Sequence, residues 1–302
     1  MTPARADTPS PKVSFLSSVL RLARPRQWIK NLLVFAAPAA AGVLLESGPL
    51  LRTVVAFIAL CLAASGTYCI NDALDVEADR THPVKRNRPV AAGIISVRTA
   101  IIAGIVLIAI GIAISLPIHN GELTLVITTY AAITIAYSLF LKNEPVIELG
   151  IIAAGFVLRM IAGGVAAEVV ISDWFLIVAA SGSLFIIAGK RYAELLELGT
   201  NSAAHRRALD EYTAGFLAFV RAASAAVMLT AYFLWAFESA VANDNSTWFR
   251  ISIIPFVLAI MRYAHIIELG RGGAPEDVVI EDRMLQLLAV IWIATFALGT
   301  YA

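Results

Sequence analysis

The chain alternates long apolar stretches with short polar ones. Apolar runs near residues 31–45, 51–70, 98–117, 122–141, 146–167, 173–189, 216–238, 249–267 and 284–301 are separated by Gly48-Pro49, Pro117, Asn143-Glu144-Pro145, Ser172-Asp173, Asn243-Asp244-Asn245 and Gly272-Gly273. Clusters of that kind end regular structure. A hydrocarbon core of ~30 Å takes about 20 apolar residues as a helix. Most of the runs match that length, and the first and shortest can be read as starting near Trp28. A β-barrel would instead show alternating segments of ~10 residues. The pattern predicts an all-α, polytopic membrane protein with nine transmembrane helices in one domain over 13–302. Residues 1–12, rich in Pro, Thr and Ala, read as a disordered tail. Residues 13–30 mix Phe15, Leu16, Leu20 and Leu22 with Arg21, Arg24, Arg26 and Lys30. That predicts an interfacial amphipathic helix broken near Pro25. A cleaved signal peptide is the competing reading, since 36–42 mimics a small-residue cleavage site. The long basic region, and an apolar run that continues past the site, count against it.

Composition sharpens this picture. Hydrophobic residues make up 59% of the chain and charged residues 15%, against ~45–50% and ~25% for soluble domains. Cys61 and Cys69 share one apolar run and read as buried thiols, and the four histidines show no zinc-site spacing. Charge position sets orientation. Alternate connections hold the Lys and Arg: six in 1–30, five in 71–98, Lys142, four in 190–215 and three in 262–283. The other connections hold only Arg52 and Arg250. The positive-inside rule then predicts a plasma-membrane protein with its N-terminus and the loops 71–97 and 190–215 in the cytoplasm, and its C-terminus outside.

The chemistry gathers at helix ends on that face. Asn71, Asp72, Asp75 and Asp79 fall within one arc of ~100° if the second span continues as a helix. Four oxygen-bearing side chains so placed repel one another unless a hard cation joins them, and oxygen-only donors suit Mg2+. The bland alternative is a solvated helix end paired with Arg80 and Lys85. Downstream, Lys85, Arg86 and Arg88 read either as a topogenic loop or as a clamp for phosphate oxygens. A second charged segment, Lys190-Arg191-Tyr192 with Glu194 and Glu197, ends the sixth span, and Lys190, Glu194 and Glu197 share a face. Tyr137 and Lys142 close the fourth span on the same side. Arg159, inside a span, needs an anionic partner or a polar cavity, with Glu148 or Glu168 as structural partners. No Walker A loop, dinucleotide-binding glycine motif or Ser/His/Asp constellation is present.

With Asn-Asp-x-x-Asp-x-x-x-Asp over 71–79, nine spans and a charged motif after the sixth, the chain resembles the UbiA-type intramembrane prenyltransferase superfamily over nearly its whole length. Its second motif, basic where aromatic-acceptor members carry spaced aspartates, departs from the usual pattern. That motif, together with Arg24-Pro25-Arg26-Gln27-Trp28-Ile29-Lys30-Asn31 and the Ala-Ala-Gly-Phe-Val-Leu-Arg run over 153–159, is similar to the decaprenyl-phosphate phosphoribosyltransferase branch. The resemblance implies a UbiA-like helical bundle and a cytoplasm-facing site. It also implies transfer of 5-phosphoribose from phosphoribosyl pyrophosphate (PRPP) to decaprenyl phosphate, feeding cell-wall arabinan synthesis. Mg2+ would be held by Asn71, Asp72, Asp75 and Asp79. Asp75, Asp79, Lys190 and Arg191 would carry catalysis. Lys30, Asn31, Arg80, Lys85, Arg86, Arg88, Tyr137, Lys142, Arg159, Tyr192, Glu194 and Glu197 would bind substrate. An acceptor that is already an ionised phosphate needs no general base, in keeping with the lack of an acid/base pair. The polyprenyl chain would lie in a lateral groove open to lipid; no nucleic acid is implied, and homo-oligomerisation is left open. The rival readings are prenyl transfer to an aromatic acceptor and transport of a phosphorylated lipid. Transport is the weaker, because neither internal repeats nor helices broken at mid-membrane are evident.

Overall fold

The computed structural model describes residues 15–198, 211–242, 247–270 and 275–301, all in helices and their connections; the predicted tail 1–12 lies outside the described residues. In chain order the α-helices are α1 (Phe15–Ala23), α2 (Ala36–Ala40), α3 (Ser47–Leu74), α4 (Val76–Thr81), α5 (Val97–Ser115), α6 (Glu122–Leu139), α7 (Ile147–Ala167), α8 (Asp173–Leu198), α9 (Ala214–Ala242), α10 (Thr247–Glu268), α11 (Pro275–Glu281) and α12 (Arg283–Tyr301). Eight of them, α3, α5 to α10 and α12, are long and apolar enough to cross a membrane. Leucines, isoleucines and phenylalanines stand exposed along these helices, as lipid-facing side chains must.

The first predicted span departs from expectation. It is a 3-10 helix over Pro25–Phe35 followed by the short α2. It still packs along α3, from Asp72 to Phe57. Arg24 meets Asp72 at one end, the Trp28 indole donates to Ser65 at 3.0 Å, and the Asn31 amide approaches the Cys61 sulfur at 3.3 Å. A 3-10 helix rises ~2.0 Å per residue instead of ~1.5 Å, so residues 25–40 reach about 30 Å, the thickness of the hydrocarbon core. The extended 3-10 conformation thus gives a short apolar run the length of a bilayer core, which an apolar pattern alone does not reveal.

Small residues let the helices close up. A Cβ on Gly66 would sit 2.5 Å from the Gly104 carbonyl oxygen, and one on Gly104 would sit 2.7 Å from that of Gly66, where α3 crosses α5. The tightest approach is at Gly163 of α7, where a Cβ would fall 1.7 Å from the Val34 carbonyl oxygen. Val34, Leu60, Leu123, Ile127, Tyr130 and Ala162 form the core at this junction. A second core, with Phe185, Met228, Tyr263 and Ile267, ties α8 to α9 and α10. Gly163→Ala should therefore cost about 1–3 kcal/mol or more, the range for over-packing. Gly150→Ala, whose Cβ would meet nothing within 4 Å, should be neutral. Thermal unfolding of the two detergent-solubilised variants checks this; equal midpoints would mean that the segment 25–40 does not pack as described.

Candidate active site

The carboxylate motif sits where α3 ends. Asp75 (φ −90°, ψ 6°) interrupts the helix, and α4 resumes at Val76. The helix therefore does not run on unbroken, and the four oxygen-bearing side chains do not share one surface. Asn71, Asp75 and Asp79 line a polar cavity of about 500 Å³. Asp72 is 2% exposed and turns into the bundle against Arg24 and Arg88. Among the described residues no group of three or more His, Cys, Asp and Glu side chains is arranged to hold a metal. The chemistry of the three cavity-facing oxygen donors nonetheless suits a hard cation that keeps water and phosphate ligands.

Every carboxylate of the motif has a protein cation. Lys142 pairs with Asp75, which also accepts from the Asn71 amide at 3.1 Å. Arg88 Nη1 donates to Asp79 at 2.6 Å and to Asp72 at 3.1 Å. Arg24 pairs with Asp72 and lies 5.0 Å from the Tyr68 ring centroid. Lys85 completes the basic lining, its turn shaped by His82 Nδ1, which accepts the Val84 and Lys85 N–H groups at 3.2 and 3.3 Å. Four cations thus accompany the three aspartates, which leaves the cavity net positive and open to an anion. Thr67, Thr134, Tyr137 and Ser138 supply neutral polar groups.

Of the residues read from sequence, Asn71, Asp75, Asp79, Lys85, Arg88, Tyr137 and Lys142 come together here. The second charged segment does not join them. Arg191, 5% exposed, grips the buried Glu148 carboxylate at 2.7 and 2.8 Å and also pairs with Glu194. That guanidinium ties two carboxylates together and, unlike the residues above, is not among the described residues lining the cavity. Lys190 lies 4.0 Å from Glu194, and Tyr192 donates to Glu268 at 3.1 Å. The Glu197 side chain lies outside the described residues.

Arg159 lacks the structural ion pair that the sequence offered as an alternative. It pairs with neither Glu148 nor Glu168. Its guanidinium donates to Asn31 Oδ1 (2.8 Å), the Tyr130 hydroxyl (2.9 Å) and the Gly155 carbonyl (2.6 Å), with the Tyr130 ring 4.8 Å away. Asn31, fully buried, is thereby a partner of Arg159 and lies outside the cavity lining. Arg80 bonds Glu77 and the Ala91 carbonyl. Arg86 is exposed, Lys30 is half-buried, and neither is among the described residues lining the cavity.

Sequence reasoning passed over Arg24, Tyr68, His82 and Asn143, which also line the cavity. The signal for Arg24 was its place before Pro25. It adopts φ 51°, a left-handed conformation rare for a side-chain-bearing residue and rarer before proline. Strain of that kind gathers at functional sites.

A second cavity, about 490 Å³ and chiefly apolar, lies toward the other end of the bundle. Trp174, Trp235, Phe256, Trp292 and Phe296 line it beside α2. The Tyr232 hydroxyl in its wall is satisfied by Ser252 and the Trp292 indole, each at 2.7 Å.

The chain is 44% identical over 289 residues to the decaprenyl-phosphate phosphoribosyltransferase of Mycobacterium tuberculosis strain H37Rv, covering 94% of this chain and 95% of that one. It is 42% identical over 295 residues to the protein of that name from Corynebacterium glutamicum, covering 96% and 89%. Among solved structures it resembles a UbiA homolog from Archaeoglobus fulgidus bound to DMAPP and Mg2+, with TM-score 0.70, 18% identity, and 94% and 98% of the two chains covered. A digeranylgeranylglyceryl phosphate synthase superposes with TM-score 0.65 at 18% identity, covering 95% and 98%. The model of the UbiA prenyltransferase family matches residues 32–299, and the chain belongs to that family.

Proposed function

We propose that this protein transfers 5-phosphoribose from PRPP to a polyprenyl phosphate such as decaprenyl phosphate, releasing diphosphate. The observation that carries the reading is the cavity's charge pattern: Asp75 and Asp79 in its lining among Arg24, Lys85, Arg88 and Lys142, at one end of a membrane bundle. Near-full-length similarity to decaprenyl-phosphate phosphoribosyltransferases narrows the donor to PRPP.

The acceptor's phosphate oxygen attacks C1 of the ribose. The C1–O bond to diphosphate breaks, and its electron pair leaves with diphosphate. Both nucleophile and leaving group are already anions, so no proton need move. Asn71, Asp75 and Asp79 would hold Mg2+, which when bound would neutralise charge on the departing diphosphate. Lys142 and Arg88 balance Asp75 and Asp79 in the free protein, and would pass to phosphate oxygens as substrate enters. Arg24 and Lys85 add to the same field. The aromatic cavity offers apolar surface to a long isoprenoid chain.

The test is purified protein with Mg2+, PRPP and decaprenyl phosphate, with the products identified by mass. Formation of decaprenylphosphoryl-5-phosphoribose is expected. Product only from a prenyl diphosphate and 4-hydroxybenzoate would move the protein to the aromatic-acceptor class, and lipid flux into liposomes with no product would make it a transporter.

The charge asymmetry supports a cytoplasmic cavity with the N-terminus inside and the C-terminus outside. Val84, 72% exposed on the cavity side, and Leu45, 80% exposed at the far end of α3, report it. In intact cells, Val84→Cys should resist an impermeant maleimide and Leu45→Cys should react. The reverse pattern would separate the cavity from cytosolic PRPP.

A further inference from the structure

The connection between α6 and α7 brings Lys142 and Asn143 to the polar cavity and then turns sharply. That turn is strained. Val146 has φ 66° and ψ −51°, and the Ile147 N–H donates to the Pro145 carbonyl at 2.7 Å. This is a γ-turn of the rare hand, with a β-branched residue at its centre, where a side chain is least tolerated. Such strain persists only where the surroundings hold it.

Here the holder comes from the other half of the bundle. The Val146 N–H donates to the Tyr212 hydroxyl at 2.8 Å. Tyr212 is buried, stacked on Phe216 with centroids 5.8 Å apart, and packed among Leu149, Ile187 and Leu217. Burial, and then the nearby Glu148 carboxylate, push its phenol above the ordinary range, so the hydroxyl keeps its proton. Two residues beyond Val146, Glu148 is fixed by Arg191, which ties the first turn of α7 to α8.

We propose that Tyr212 is a positioning residue for the cavity: by accepting the Val146 N–H it holds the strained turn, and the turn holds Lys142 and Asn143 in place. The Glu148–Arg191 pair anchors the same turn from its C-terminal side. This gives the second charged segment a role in activity without any contact between Arg191 and substrate. The effect on activity rests on the reading proposed above; the effect on the turn does not.

Three variants test it, Tyr212→Phe, Val146→Gly and the two combined. Tyr212→Phe keeps the ring and removes the acceptor. Amide exchange across residues 140–147 should speed up about tenfold and kcat/KM for PRPP should fall about tenfold, the scale of one hydrogen bond. Exchange in α3 and α9, and the thermal midpoint, should stay near wild type. Glycine takes a positive φ freely, so Val146→Gly in the Tyr212→Phe background should bring exchange and kcat/KM back to within about threefold of wild type. Unchanged exchange over 140–147 in Tyr212→Phe would overturn the proposal, as would a loss that Val146→Gly fails to reverse. A wild-type protein inactive with PRPP would sink the substrate reading instead, and the exchange measurements would still decide the role of Tyr212.

Discussion

Asp75→Ala should lower turnover by about a thousandfold or more while the protein stays folded. Asp75 lines the cavity, accepts the Asn71 amide and pairs with Lys142. Alanine removes a ligand oxygen from the proposed metal site. It also leaves Lys142 without the carboxylate that positions it, so charge at the leaving group is unbalanced twice over. Stability should change little. The side chain is 22% exposed in an open cavity, and ion pairs near water contribute about 0–1 kcal/mol. Asp72→Ala should fail by another route. Its carboxylate is buried between Arg24 and Arg88, and breaking a buried pair costs about 3–5 kcal/mol. Turnover measured beside thermal unfolding separates the two cases. Excess EDTA should abolish wild-type activity and Mg2+ should restore it. Asp75→Ala retaining a tenth of wild-type turnover, or full activity in chelator, would remove the metal from the site.

How much of this was legible depended on range. The long helices were readable because a bilayer leaves a backbone few ways to satisfy its hydrogen bonds, so length and apolarity suffice. The conformation of residues 25–40 was not, since 3-10 and α-helices draw on the same side chains, and it takes the contacts along α3 and the close approach at Gly163 to show how that segment fits. The carboxylate motif announced itself by local spacing. The inward turn of Asp72 did not, because it depends on the pause at Asp75 and on Arg24, 48 residues away. The same limit hid the pairing of Arg191. Its partner Glu148 is 43 residues distant, and a basic residue beside a motif looks equally free whether or not a buried carboxylate waits for it. Arg159 was read as needing an anionic partner or a polar cavity, and Asn31, Tyr130 and Gly155, the first two 128 and 29 residues away, supply neutral acceptors.

The donor site is where these long-range pairings change the expected outcome. The sequence offers Lys190 and Arg191 as well as Arg88 and Lys142 for the PRPP phosphates, and of these the cavity is lined by Arg88 and Lys142. A charge-assisted contact contributes about 1.5–3 kcal/mol, so Lys142→Ala should raise the KM for PRPP roughly 10- to 150-fold. Arg88→Ala should do at least as much, since its guanidinium joins Asp79 in the cavity to Asp72 behind it. Its loss removes a phosphate contact and also lets the carboxylate wall shift. Lys190→Ala, facing Glu194 at 4.0 Å and outside the cavity, should change KM by less than about threefold, as expected of a surface pair. The KM for the polyprenyl phosphate should move less than that for PRPP in every variant, because much of that ligand's binding comes from burying its isoprenoid chain. Steady-state titration of each substrate against wild type and the three variants reads all of this together. A larger PRPP effect from Lys190→Ala than from Lys142→Ala would return the donor to the second charged segment. Equal losses for both substrates would mean that Arg88 and Lys142 serve the acceptor phosphate as much as the donor.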